Sequence, residues 1–350
     1  MPRPCLTRRA ALLLGALTLA HAAAFAKDAP VVVPVDADFK PAEVAAKAFE
    51  IPDAKALKGL RRAAVTVFVV EFVTADAVHA QTSGFGAAGR ANSSLYYRLL
   101  GVGQPEFQAI TDRLHADFVQ RLAASGVEVV PTEQLRAAPQ YRKMAEGGGK
   151  LPSISDDRML LGAAGLGLFG VARMTPQAKG PKTLMGALSS IGEGYAAVAD
   201  TVSMHELATT LEASLLEVRV RVNFVELTNH NKGFWGRMSN TASTSGKVGP
   251  AIEGVVVGVQ TGPQRATLTM NQTLALEPSA FADVREKATT AGDVAGAVLV
   301  GLIKLASKSN DTHSSKEMEA VADPTRYTQV VGGGLASLAD VIVARLVAER

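Results

Sequence analysis

The chain has 350 residues, with 36 Lys and Arg against 33 Asp and Glu, one cysteine, one tryptophan and 5% aromatic residues. A lone cysteine leaves no internal disulfide and no thiolate metal cluster. Near-balanced charge and scarce aromatics argue against nucleic acid, whose phosphates call for a basic surface and whose bases call for stacking platforms.

The first residues carry Arg3, Arg8 and Arg9 and no acid. The apolar stretch Ala10–Ala20 follows, and then Ala24-Phe25-Ala26 before Lys27. A positive start, a short apolar core and small residues at −3 and −1 predict a signal peptide over 1–26, cleaved near Ala26/Lys27, and a protein exported to a bacterial periplasm. The core is shorter than the roughly 20 residues that span a membrane. Arg8-Arg9 leaves the export route open between the general and the twin-arginine pathway. Cys5 precedes the apolar core, whereas a lipid-anchor cysteine directly follows it. Removing 1–26 takes away three arginines and no acids, so 33 basic residues face 33 acidic ones in the expected mature chain.

Residues 27–350 read as one α/β domain. A short helix is expected around Pro41–Phe49. The run Ala63–Val73 is almost continuously apolar and β-branched, as in a central strand buried on both faces. Residues 75–94, rich in Ala, Gly and Ser, read as a long loop, and Leu95–Val102 as an extra strand. From Pro105 to Ser125, Phe107, Ile110, Leu114, Phe118 and Leu122 recur on one helical face, with Gly126 as the stop. Val127–Val130 follows as a short strand, and strand–helix–strand is an α/β signature.

Gly147-Gly148-Gly149 and Thr175-Pro176 mark a glycine-rich irregular insertion at about 145–185. A helix is expected over Ala197–Ala213. Leu216–Phe224 then alternates strictly, with Glu217, Arg219, Arg221 and Asn223 on one face, which predicts a half-exposed strand. Residues 229–250 are polar and rich in Gly, Ser and Thr. Ile252–Gln260 and Ala266–Glu277 pair as a hairpin. Two helices close the chain, at about 291–306 and 325–349, the second started by Asp323-Pro324. No apolar run after residue 26 reaches the length of a membrane span. The expected architecture is a mixed β-sheet with helices packed on it.

Chemistry is sparse. His79, His115, His205, His230 and His313 lack metal-ligand spacing. Gly165-Leu166-Gly167-Leu168-Phe169-Gly170 spells a dinucleotide fingerprint without the strand and helix that give it meaning, and reads as an apolar loop on the core. Ser245-Gly246-Lys247 lacks the rest of a phosphate loop. Ser189-Ser190 lacks the glycine-flanked elbow of a serine hydrolase. Adjacent Asp156-Asp157 read as a capping or solvated pair. No catalytic residue, cofactor or metal is therefore expected. Two aromatic pairs stand out as partner-binding candidates: Phe234-Trp235, flanked by Gly233 and Gly236, and Tyr96-Tyr97.

The layout of Ala64–Phe72, Phe107–Leu122 with Gly126–Val130, Ala208–Phe224, Ala266–Leu276 and the last helix resembles the periplasmic α/β domain shared by the curli secretion lipoprotein and the TolB amino-terminal domain. The resemblance implies a non-enzymatic envelope protein that assembles with itself or recruits an envelope partner, with peripheral membrane contact within reach. Its lipid anchor and pore do not carry over, because the anchor cysteine is missing and the hairpin fits a half-buried sheet. Two other readings stay open: a periplasmic carrier of an apolar, lipid-like molecule lined by residues 159–172 and 294–305, and a hydrolase with an unrecognised site.

Overall fold

The computed structural model describes residues 31–82, 91–170, 202–230, 241–287, 297–298, 302–308 and 313–350. At its centre lies β3 (Arg62–Val73), and residues 63–73 are buried throughout. A run of Val, Ala and Phe forms a strand there because both of its faces are covered, so it has no polar side to show. β3 pairs in parallel with β9 (Ser214–Asn229) and antiparallel with β8 (Arg158–Gly162). β6 (Glu128–Val129) adds a short parallel step beside Arg62 and Ala63.

β9 pairs antiparallel with β10 (Thr241–Thr261), with register shifts between Val248 and Ala251 and between Ile252 and Gly254. The other edge of β10 holds β11 (Gln264–Met270), β12 (Gln272–Ala275) and β15 (Leu302–Lys308) in turn. β2 (Phe49–Glu50) pairs with β11, and β1 (Val31–Pro34) and β7 (Ser153–Ile154) end the sheet, whose order is β1-β12-β10-β9-β3-β8-β7. A second sheet has the order β14-β13-β16-β5-β4, formed by Ala297–Val298, Phe281–Glu286, Ser314–Ala322, Asn92–Leu100 and Ala75–Gln81. The fold class expected from sequence, α/β with a mixed sheet and packed helices, is what the chain adopts.

The helices are α1 (Pro41–Ala48), α2 (Gln104–Ala124), α3 (Thr132–Ala137), α4 (Pro139–Gly147), α5 (202–211) and α6 (Pro324–Ala348). α2 covers one face of β3: Phe72 stacks on Phe107 with ring centroids 4.3 Å apart, and Phe68 meets Phe118 at 5.6 Å. α6 packs beside α2 through Tyr327, edge-on to Phe107, and through Arg121 Nε, 2.6 Å from Asp340 Oδ1. Asp323 caps α6 by accepting the Arg326 N–H at 2.9 Å, as its place before Pro324 predicts. α6 is long and apolar enough to cross a membrane by length and composition, contrary to the sequence expectation, but half of its apolar window is buried inside the fold. Val331, Leu335, Leu338, Ile342 and Leu346 make up its core stripe.

Several expectations are corrected. Residues 75–81 are a strand, not part of a loop, because Ala77 and Val78 pair with Tyr96 and Leu95 of β5. The segment 302–308, expected to be helical, is a strand on β10; a short apolar run has no periodicity that separates the two. The insertion assigned to 145–185 contains β7 and β8, which extend the main sheet; its residues from 171 onward lie outside the described residues. The polar, glycine-rich stretch 229–250 contains the first half of β10. β9 is not half-exposed, since Glu217, Arg219 and Asn223 are buried along with the apolar face.

Candidate functional site

Alternation along β5 sets the site. Leu95, Tyr97 and Leu99 point inward and are buried, while Tyr96 and Arg98 point outward and are exposed, Tyr96 at 40%. Across β4, Tyr96 faces Ala77 and Arg98 faces Ala75. Across β16, the same two residues face Glu317 and Glu319. Two alanines beside two long side chains leave a trough, and a cleft of about 740 Å³ opens there, reaching Asp157 and Lys287. His79 lies edge-on to Tyr96 at 5.3 Å and shares a 2.9 Å hydrogen bond with Ser94 Oγ.

The charges around the cleft are largely paired. Lys287 Nζ is 2.7 Å from Glu317, Arg285 Nε is 2.9 Å from Glu319, and Arg158 is 2.6 Å from Asp157. The Arg158 guanidinium and the Ser155 hydroxyl hold the Asp157 carboxyl down at about 2. Arg158 also reaches inward to Glu71 at 3.3 Å. Glu71 is 1% exposed, accepts from Arg219, and lies 3.7 Å from Arg221 Nε. Three guanidiniums converge on one carboxylate, and the chain of contacts runs from the cleft to the centre of the main sheet.

A second polar centre joins the two sheets. Asn223 Nδ2 donates to Glu253 on β10 at 3.1 Å and to Asp76 on β4 at 3.4 Å. Burial raises the Glu253 carboxyl above its ordinary range, against the Asn223 hydrogen bond and Arg221. Further along, the Tyr97 hydroxyl donates to the Gly246 carbonyl at 3.4 Å, and burial pushes its phenol up to about 12. Gly246 is required there, because a Cβ would lie 2.4 Å from the Tyr97 ring.

The partner-binding candidates separate. Tyr96 lines the cleft and is exposed. Tyr97 is 2% exposed, so it is withdrawn as a surface anchor: adjacent strand residues point to opposite faces. Phe234 and Trp235 lie outside the described residues, as does Ser189-Ser190. Leu166, Leu168 and Phe169 of the glycine-rich apolar stretch are buried, and the Gly167 N–H donates to Tyr141 Oη at 2.9 Å, so it packs as a turn on the core. Ser245-Gly246-Lys247 lies in the middle of β10. His115 is held below its ordinary value by burial, against Asp112, and sits edge-on to Phe68 at 5.2 Å.

Among the described residues, no group of three His, Cys, Asp or Glu side chains could hold a metal ion, and no carboxylate hydrogen-bonds His79 to complete a triad with Ser94. The arrangement suits contact: an exposed aromatic ring and a guanidinium beside a trough, ringed by ion pairs. Sequence reasoning did not select Glu71, Arg158, Arg219 or Asp157 as a group. The available signal was the one charged side chain, Glu71, inside the nearly continuous apolar run Ala63–Val73. No protein-family model, curated protein or solved structure matches the chain.

Proposed function

We propose that the protein is a non-enzymatic, exported protein of the bacterial cell envelope that docks a partner, or further copies of itself, on the outer face of its second sheet. The observation that carries this reading is Tyr96, half-exposed above the cleft on a sheet face whose inward side chains already form the core. Tyr and Arg are the side chains that most often anchor protein interfaces, and ion pairs such as those at Lys287 and Arg285 form the polar rim such interfaces carry. The charge pattern of residues 1–26 supports export, and the resemblance to envelope assembly domains supports the partner class.

The carrier reading has less behind it. In the described part of the stretches 159–172 and 294–305, Leu161, Leu168, Phe169 and Leu305 are buried, and the cleft that Leu166 lines is shared with Glu133, Arg136, Arg142 and Glu146. The deciding experiment places a photo-crosslinking aromatic residue at position 96 of the full chain in cells, with position 202, also exposed, as control. A discrete crosslinked band at 96 and none at 202 is expected. A full chain that turns over substrate in solution, with activity lost on a single polar substitution, overturns the reading.

A further inference from the structure

Among the polar contacts that join the two sheets, one is an amide held between two carboxylates. Asn223 pairs with Ala251 between the two register shifts of β9 and β10, and it is 4% exposed. Its Oδ1 accepts the Phe224 N–H at 2.8 Å, which fixes the orientation of the amide and turns Nδ2 to the other side. There Nδ2 meets Glu253 Oε2 from the main sheet and Asp76 Oδ2 from the second sheet. One carboxylate from each layer thus shares the hydrogens of a single neutral amide.

The charges facing Glu253 come from two strands: Asp76 on β4, and Arg221 and Glu226 on β9. Arg221 also leans toward Glu71 at 3.7 Å. Arg158, already paired with Asp157 and Glu71, also faces Asp76, so both cations near these carboxylates have other claims on them. An ionised Glu253 adds repulsion between the layers, and a protonated one keeps an oxygen for Asn223 while removing that repulsion.

We propose that this junction is a proton-operated latch, which holds the second sheet on the main sheet most firmly when Glu253 carries a proton and loosens when Glu253 ionises. The sign follows from linkage. Burial places the Glu253 carboxyl above its unfolded range, so its contribution is complete below the ordinary carboxylate value and is lost as pH rises through the raised one. β4 supplies both Asp76 and a wall of the cleft, so the latch would also tune the docking face; that consequence rests on the proposed function, and the latch itself does not.

Hydrogen exchange of the full chain tests it, read on peptides covering 75–81 and 92–100 from below the ordinary carboxylate value up to about pH 8, corrected for the intrinsic rate. In the native chain, protection of β4 and β5 is expected to fall several-fold as pH rises, while α2 changes little. Glu253→Gln, which keeps the oxygen, is expected to remove the slope and hold protection at about pH 8 near the native chain's value at the acid end of the range. Asp76→Asn, which removes the opposing charge from the other layer, is expected to flatten the same slope. A native chain with no slope overturns the proposal, and so does a slope that survives in Glu253→Gln. Either result leaves the crosslinking at position 96 to be judged separately.

Discussion

Removing the Glu71 carboxylate is the most direct test of the buried ionic network. Glu71 is 1% exposed near the C-terminal end of β3, with Arg219, itself 7% exposed, as its closest partner and with Arg158 and Arg221 at 3.3 and 3.7 Å. Glu71→Ala removes the anion on which three guanidiniums converge and leaves a small cavity as well. Breaking a buried pair from one side typically costs about 3–5 kcal/mol, because the remaining charge loses its compensation. For a chain of this size, that corresponds to a fall in melting temperature on the order of 10 °C. Urea unfolding of the native chain, Glu71→Leu, Arg219→Met and the double variant Glu71→Leu/Arg219→Met gives the cycle, with Glu71→Ala measured beside it. The double variant is expected to lose less than the sum of the singles, since apolar side chains of similar volume replace both ions. A single-variant loss below about 1 kcal/mol, within the range of exposed ion pairs, would refute the reasoning.

Other perturbations read other parts of the structure. Gly246→Ala drives a methyl into the Tyr97 ring and is expected to cost about 1–3 kcal/mol in chemical denaturation, with partial recovery when Tyr97 is shortened to Leu. By carbon-detected NMR, Asp157 is expected to titrate at about 2 and to move up toward the ordinary carboxylate range in Arg158→Ala. The stability it adds is present above the ordinary value and is lost as pH falls toward 2. Tyr96→Ala removes an exposed ring and is expected to change stability by less than about 0.5 kcal/mol while weakening any complex isolated through the cleft.

The elements legible in the sequence were those whose pattern and environment agree. Ala63–Val73 reads as a central strand because only Thr66 and Glu71 in it are polar, and α2 and α6 read as helices because their apolar residues recur at 3.6-residue spacing. The burial of the polar face of β9, and the strands β4 and β16 of the second sheet, were illegible for different reasons. Alternation reports polarity and not coverage, so Glu217, Arg219 and Asn223 read as a solvent face although charged partners bury them. β4 and β16 are built largely from Ala, Ser, Glu and Lys, and their strand character comes from pairing with β5. The site was half legible. Tyr96 and Tyr97 were singled out together, and the alternation of Leu95, Tyr97 and Leu99 against Tyr96 and Arg98 was the signal that separates them.

The parallel pairings also constrain the order of events during synthesis. β5 lies beside β16, Thr66 on β3 hydrogen-bonds a residue 150 positions later, and Arg121 reaches Asp340 across 219 positions. The main sheet is incomplete until β15, which ends at Lys308, has joined β10, and the second sheet until β16, which ends at Ala322, has joined β5. A chain wired in this way keeps its early strands without their sequence-distant partners while it is still emerging, so its sheets form late and together with its last strands.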